Sequence, residues 1–212
     1  EEEKELFDEG WEIAEDYALE IADAWLAAPD MVVEVPEPPA DLPVADNYEE
    51  FVAFQNGEQA EALADSVKRG QELYVGKIAL CSKCHGVKGL GDGQTTDFDD
   101  WTKEWTLGIG IKPEDRDALI PLLARGALPP INAKPRNFTT GLFHGGGTAN
   151  DLYIRITQGI EGSPMPAATF VDGEFEEDDV WHLINYLRSL QTPPEPEEES
   201  AEEPKATEVA AR

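Results

Sequence analysis

Apolar positions recur at helical spacing near both ends of the chain. In residues 1–28 they form one face of a helix whose other face is crowded with glutamate and aspartate, and they comprise Phe7, Trp11, Ala14, Ala18, Ile21 and Trp25. In residues 177–190 the same spacing joins Val180, Leu183, Ile184, Leu187 and Leu190. Apolar residues three and four positions apart are typical of amphipathic α-helices, so the pattern predicts two helices with one packing face each.

A third helix is predicted in the middle of the chain. It begins at Asp65 or Ser66, either of which can cap a helix, and it runs to about Leu80. Gly70 lies inside this helix, where glycine costs roughly 1 kcal/mol relative to alanine but lets a second helix cross closely. Residues 48–63, just before it, predict a shorter helix.

Two short helices are predicted further along. Residues 113–125 open with a proline and are followed by Gly126, which suits a helix end. Residues 152–158 form the other, with Asn150 as its cap and Gly159 at its end. The predicted fold class is therefore all-α.

Proline-rich stretches divide the chain. Residues 29–47 contain five prolines among acidic residues, so neither a helix nor a central strand persists there, and they form a stiff linker or strap. Residues 193–212 are rich in proline, glutamate and alanine, which predicts disorder. The sequence thus predicts an acidic N-terminal extension over 1–64, a folded domain over 65–192 and an acidic tail over 193–212.

The acidic residues are concentrated at the ends of the chain. The net charge of the 212 residues is −29, and residues 1–50 carry 18 acidic residues against Lys4 alone. Nucleic acid is excluded as a partner because no basic stripe is present to offset phosphate charge. A basic partner face or a high-salt habitat would each account for the acidity.

No apolar run approaches the roughly 20 residues that span a bilayer. The chain begins at Glu1 without a methionine, which predicts that a signal peptide or membrane anchor has been removed or omitted.

The chemistry of the chain is expected at its two cysteines, Cys81 and Cys84, which are followed directly by His85. This spacing suits a haem whose vinyl groups accept two thioether bonds while the imidazole binds the iron. The motif predicts one covalently bound haem c with His85 as the proximal ligand. Thioether formation uses both cysteines, so no disulfide is predicted.

Other interpretations of the cysteine pair fit the sequence less well. A thioredoxin-like redox pair is expected near a βαβ pattern, and residues 86–93 lead into none. A structural zinc site needs four nitrogen or sulfur ligands, and beyond the cysteines the chain offers only His85, His144 and His182. A chance pair of buried cysteines leaves the spacing unexplained.

These residues and several downstream segments resemble the single-haem c-type cytochromes. The resemblance covers about residues 66–191 and rests on segments 81–86, 89–93, 135–138, 155–160, 162–166 and 180–190. It implies a cytochrome c-like helical domain around one haem, with an insertion at about 94–134. It also implies that the first and last helices of that domain cross where Gly70 meets Tyr186.

A sixth iron ligand is expected at Met165, because Pro164 and Pro166 brace its backbone and a thioether must be held rigidly to stay on iron. His144 and His182 are the alternative ligands.

Further contacts to the haem are expected from the segment before Phe138 and from the helix over 152–158. A backbone carbonyl, that of Pro135 or Pro130, is expected to hold the second nitrogen of His85. Arg136 and Arg155 are candidates to pair with the haem propionates, since guanidinium matches carboxylate geometry.

Within the insertion, Trp101 and Trp105 are four positions apart and are expected to share a helical face as local core.

The resemblance implies an electron carrier with no small-molecule substrate, because Met165 fills the coordination position that a substrate needs. It implies redox proteins as partners, such as a membrane respiratory complex, and a periplasmic or extracytoplasmic location. Two alternatives stay open: a haem subunit docked permanently in a respiratory or dehydrogenase complex, and a peroxidase or gas sensor with an open haem face.

Overall fold

The computed structural model describes residues 2–93 and 97–192, so the predicted disordered tail over 193–212 lies outside the described residues. Within those ranges the chain contains no strand, and extended pairing is limited to the isolated bridges Phe98–Asn132 and Val171–Phe175. The all-α prediction is therefore confirmed. The helices are α1 (Glu2–Ala27), α2 (Tyr48–Gln55), α3 (Ala60–Val75), α4 (Cys81–His85), α5 (Asp100–Gly108), α6 (Arg116–Leu123), α7 (Ala149–Gln158) and α8 (Asp179–Ser189).

The chain divides by its contacts into two units, of which the first ends at Glu37 and the second begins at Pro38. The first unit consists of α1 and a 3-10 turn, Ala28–Met31, and α1 agrees with the helix predicted over 1–28. Trp25 on this helix is 77% exposed, and the side chain of Phe7 lies outside the described residues. Among the described helices, none combines the length and the apolar character needed to cross a membrane.

The second unit is organised around the crossing of α3 and α8. A Cβ atom on Gly70 would overlap the carbonyl of His182 and would lie 2.8 Å from the Cβ of Tyr186. Only glycine allows this approach, so the predicted crossing of Gly70 and Tyr186 is confirmed. An ion pair at 2.8 Å between Arg69 and Asp179 also joins the two helices.

The start of α3 differs from the prediction. The helix begins at Ala60, and Ser66 is a buried residue within it whose hydroxyl lies 2.9 Å from Nδ1 of His182. Leu63, which is 2% exposed, extends the apolar side of the helix toward its N-terminus. The helix also ends at Val75 rather than near Leu80. Ser66 was therefore wrongly expected to be a cap, because its hydroxyl serves a contact between helices.

The segment after Pro38 is held against α8. The Nδ2 of Asn185 donates to the carbonyl of Pro43 at 2.7 Å, and the guanidinium of Arg188 donates to the carbonyls of Ala45 and Asp46. Arg188 is 3% exposed, and burial lowers its pKa. Residues 38–64, which the sequence assigned to the extension, thus pack with the domain that follows them.

Two local predictions need correction. On α5 the buried residues are Thr102 and Thr106, whereas Trp101 is 68% exposed. The two threonine hydroxyls can be buried because they bond to Asp99 and to the helix backbone. At α7 the cap is Thr148 rather than Asn150. Its side chain and that of Asp151 satisfy each other's backbone N–H groups, which is a capping box.

Candidate haem-binding site

The cysteine motif lies on α4, a single short helix. Cys81 and Cys84 are three positions apart on it, so their side chains share one face. Both thiols are half-buried and are not joined to each other. Leu80 before the helix has a φ of 53°, which turns the chain sharply into it. The two cysteines therefore lie together on one face of α4, and His85 is the last residue of the helix.

The imidazole of His85 is oriented by the backbone. Its Nδ1 lies 3.0 Å from the carbonyl oxygen of Arg136. A carbonyl oxygen only accepts, so Nδ1 carries the proton and Nε2 keeps a lone pair that can bind iron. Burial lowers the pKa of His85, although the bond to Arg136 opposes that shift. The ring is thus held in the neutral form that a metal requires.

The carbonyl was expected from Pro135 or Pro130, and that assignment is wrong. The carbonyl of Pro135 points at Gly91, where a Cβ would overlap it. The next carbonyl along the chain, that of Arg136, is the one that lies 3.0 Å from Nδ1 of His85. Gly91 has a φ of 72°, and its lack of a side chain is what lets the two segments meet.

Two aromatic residues without a predicted role complete the proximal side. Phe138 stacks on the ring of His85, with their centroids 4.3 Å apart. The hydroxyl of Tyr74 donates to the carbonyl of Gly86 at 2.7 Å, at the end of α4. Phe138 lies in a segment that carries the resemblance, which is the one signal in the sequence that marks it. Tyr74 had no signal beyond its position on an apolar face.

The thiol of Cys81 does not have the character of a redox-active cysteine. Burial raises the pKa of Cys81 to about 11, so its thiol is protonated at neutral pH. Reactive thiols in oxidoreductases have lowered pKa values instead. The zinc alternative also lacks support, since the described part of the chain has no group of three or more His, Cys, Asp or Glu side chains that could hold a metal. His144 is exposed, and His182 contacts Ser66.

Met165 lies in a loop after α7 that is closed by its own hydrogen bonds. The backbone N–H of Ile160 donates to the carbonyl of Met165 at 3.0 Å. The hydroxyl of Ser163 donates to the carbonyl of Ile160 at 2.8 Å and lies 3.3 Å from the backbone nitrogen of Met165. Pro164 restricts the same backbone. The half-buried side chain of Met165 is therefore carried by a locally rigid loop.

The two arginine candidates have different surroundings. Nη1 of Arg155 donates to the carbonyl of Gly146 at 2.8 Å, so part of its donor set is already used within the chain. Arg136 is half-buried and follows Pro135 directly. Their pairing with propionates stays a prediction.

The two chain segments that meet at α4 have a net charge opposite in sign to that of the whole chain. Residues 77–93 and 131–147 meet where Gly91 touches Pro135 and where the N–H of Phe138 donates to the carbonyl of Gly89 at 2.7 Å. Against one acidic residue, Asp92, these two segments carry five basic ones: Lys77, Lys83, Lys88, Lys134 and Arg136. The two segments are therefore basic within a chain whose net charge is −29, although residues 131–133 pair with a stretch that contains Asp97 and Asp99.

Comparison with known proteins agrees with this geometry. Residues 67–191 match the family described as cytochrome c. No curated protein matches the chain.

One similar solved structure is the reducing HAO-like protein complex of Kuenenia stuttgartiensis, with 27% identity and a TM-score of 0.43. The match covers 78% of this chain and 55% of that one, so the chain spans about half the length of the protein it matches.

The residues of α4 fit covalent haem c, since two free thiols at the required spacing precede an imidazole whose Nε2 is available. From the motif, the helical fold and the match over 67–191, this chain belongs to the cytochrome c family.

Proposed function

We propose that this protein transfers electrons through a single haem c held by Cys81 and Cys84, with His85 and Met165 as the axial ligands. The observation that carries the proposal is the bond from Nδ1 of His85 to the carbonyl of Arg136, which leaves Nε2 as the ligand atom. The haem supplies the iron that alternates between Fe(II) and Fe(III).

The chain's own residues hold the ligands in place throughout the cycle. Phe138 and the Arg136 carbonyl fix the plane of the His85 ring, and the carbonyl raises its basicity. The loop around Met165 restricts the thioether through Ser163 and two prolines. A sulfur ligand favours Fe(II) and raises the reduction potential. With His85 and Met165 as ligands, the iron would have no open position for a substrate, so we propose a carrier rather than an enzyme.

The direct test combines mass and optical spectra. Mass spectrometry of the denatured protein should show one added haem, and its absence would refute the cofactor.

Met165→Ala should lower the reduction potential and allow carbon monoxide to bind the reduced protein. Met31→Ala is the matched control, because it removes the only other methionine, which lies outside the second unit. Equal behaviour of the two variants would refute Met165 as the ligand. Carbon monoxide binding to the unaltered reduced protein would favour a sensor or peroxidase instead.

The basic residues of the two segments around α4 favour an acidic redox protein as the partner. Long-range attraction acts through the local field at the site and decreases as salt rises. Hexacyanoferrate(III), a small anionic oxidant, tests that field without a natural partner. Its rate with the reduced protein should decrease with ionic strength, whereas a field set by the net charge of −29 would make the rate increase.

Charge-reversal variants locate the effect. Lys88→Glu and Lys134→Glu should lower the rate at low salt, because both exposed side chains lie in the two segments around α4. Lys68→Glu on α3 makes the same change of charge outside those segments and should alter the rate less. Equal effects of all three variants would refute a local basic surface.

We further propose that the protein works on the extracytoplasmic side, in contact with a membrane respiratory complex, either as a mobile carrier or as a docked subunit. Support comes from the covalent haem motif, since haem of this type is attached outside the cytoplasm in the resembled family. Purification from the native membrane at high salt distinguishes the two modes. A mobile carrier bound by charge is released, and a permanent subunit is retained.

A further inference from the structure

The two ends of the insertion form a clasp, which we define as residues 97–99 and 131–133. The N–H of Asp99 donates to the carbonyl of Ile131 at 2.9 Å, and the N–H of Ala133 donates to the carbonyl of Asp97 at 2.9 Å. Phe98 and Asn132 form the antiparallel bridge between these bonds. The insertion is therefore closed at its base by backbone pairing.

The carboxylate of Asp99 ties the clasp to α5. It accepts from the backbone N–H of Thr102 at 2.9 Å and from that residue's hydroxyl, and so caps the helix. Its second oxygen accepts from the N–H of Ile131 at 3.1 Å, across the clasp. One side chain thus fixes the direction in which α5 leaves the clasp.

The start of α5 contacts the loop that carries Met165. The N–H of Asp100, the first residue of the helix, donates to the carbonyl of Gly162 at 3.2 Å. Gly162 lies three positions before Met165. The first N–H groups of a helix have no hydrogen-bond partner within the helix. The bond between the N–H of Asp100 and the carbonyl of Gly162 therefore satisfies both the donor and the acceptor.

The clasp also leads to the proximal side. Three residues after Ala133, the chain reaches Arg136, whose carbonyl bonds Nδ1 of His85 at 3.0 Å. The clasp therefore lies between the supports of both predicted axial ligands.

We propose that the insertion is a brace for the sixth ligand, in which Asp99 and the backbone N–H of Asp100 are positioning groups that hold the Met165 loop at the iron. This inference rests on the proposed function, because it requires Met165 to bind the iron. Without the brace, the loop moves away from the iron more often, and an external ligand competes more easily for the vacated position.

Proline at position 100 removes the critical N–H and little else. Proline is favoured at the first position of a helix, where its missing N–H is not needed by the helix. Asp99, with a ψ of 144°, already has the extended backbone that a following proline requires. Asp100→Ala is the matched control, since it also loses the carboxylate but keeps the N–H.

The readout is imidazole binding to the oxidised holoprotein at neutral pH. The apparent affinity rises in proportion to the fraction of protein whose sixth position is open, so a tenfold increase in that fraction gives about a tenfold increase in affinity. Asp100→Pro should show an increase of about this size, and Asp100→Ala should bind imidazole like the unaltered protein. Equal affinities for the two variants would overturn the proposal.

A second pair of variants keeps the test valid if the proline variant does not fold. Asp99→Ala removes the carboxylate that joins α5 to the clasp. Asp115→Ala removes the equivalent cap of α6, because the Asp115 carboxylate accepts from the N–H of Ala118 at 3.2 Å. Both variants remove a helix cap in the insertion, but only the Asp99 carboxylate also bonds across the clasp, to the N–H of Ile131. Imidazole affinity should rise for Asp99→Ala alone, and an equal rise for both would reduce the effect to general loosening of the insertion.

Met165→Ala distinguishes a failure of the brace from a failure of the ligand assignment. If it raises imidazole affinity and Asp100→Pro does not, the brace is wrong while the ligand assignment holds. If Met165→Ala itself has no effect, the ligand assignment fails, and the brace fails with it.

Discussion

The segment around His85, called the proximal side, and the loop around the proposed ligand Met165, called the distal side, are held by different kinds of structure. On the proximal side, residues 81–93 are held by the domain core. The Tyr74 hydroxyl donates to the Gly86 carbonyl at the end of α4, and Phe138 stacks on His85. Gly91 packs closely against the Pro135 carbonyl. On the distal side, the loop around Met165 is held by bonds within itself, by the N–H of Ala168 donating to the carbonyl of Ile156 at 2.9 Å, and by α5.

This contrast predicts where each kind of change acts. A close-packed segment resists small movements but loses much stability when its shape is altered. A loop held by a few hydrogen bonds changes its position at lower cost, so it can alter the properties of the iron without unfolding the domain. Proximal substitutions should therefore lower the free energy of unfolding, whereas distal substitutions should change ligand exchange and potential.

The largest expected effect tests the proximal core. Phe138→Ala removes a buried ring that stacks on His85 and should cost about 3–5 kcal/mol of unfolding free energy, measured by chemical denaturation of the holoprotein. Ile160→Ala, at a partly exposed distal position, should cost about 1 kcal/mol or less, since little buried surface is lost. Similar losses of unfolding free energy for the two variants would contradict the distinction between the two sides.

The next effect compares two glycines with the same backbone angle. Gly91 and Gly162 have φ values of 72° and 74°, but a Cβ at Gly91 would overlap the Pro135 carbonyl, and one at Gly162 would meet nothing. Gly162→Ala should lose about 1–2 kcal/mol for the left-handed backbone alone. Gly91→Ala should lose about 3 kcal/mol, because crowding adds to that cost. Denaturation midpoints in the opposite order would contradict the packing described for α4.

A smaller effect isolates one proximal hydrogen bond. Tyr74→Phe leaves the Gly86 carbonyl without its donor and should cost about 1–2 kcal/mol. Tyr153→Phe is the control, because Tyr153 is also buried and stacks on Trp181, at a centroid distance of 4.6 Å, but lies away from α4. The difference between the two variants in thermal unfolding measures the bond at the end of α4.

The smallest effect is a pH dependence at the clasp. Burial raises the pKa of Asp99, but the bonds it accepts from Thr102 and Ile131 outweigh this, and the net shift is downward. Its stabilising contribution is therefore complete above the unfolded value of about 3.9 and is lost as pH falls through the lower folded value. The difference in unfolding free energy between the unaltered protein and Asp99→Asn should narrow below about pH 4. A difference that stays constant down to pH 2 would show that the carboxylate's charge has no part in the clasp.

Several features were predictable because they depend on neighbours in the sequence. The spacing of Cys81, Cys84 and His85 needs no tertiary information, since covalent attachment requires only that spacing. The helices near the two ends follow from periodicity. Gly70 within a helix marked a place where a second helix can cross, and the family resemblance supplied Tyr186 as its partner.

Other features depended on contacts between distant segments. Ser66 has the chemistry of a helix cap, yet its hydroxyl lies 2.9 Å from His182, which is 116 positions away. Trp101 was expected in the local core, yet it is 68% exposed, and the neighbouring Thr102 is the buried residue, whose hydroxyl accepts from the N–H of Ile131, 29 positions away.

The sequence by itself determined the cofactor chemistry and the helical class of the fold, because both follow from residue type and short-range spacing, whereas the crossing of the first and last domain helices was implied by the family resemblance. Only the tertiary structure decided which carbonyl orients His85 and what holds the Met165 loop. The first depends on Gly91 meeting Pro135, and the second on Asp99 reaching Ile131, 32 positions away. Hydrogen bonds and close contacts of this kind depend on distances in space, which sequence spacing does not specify.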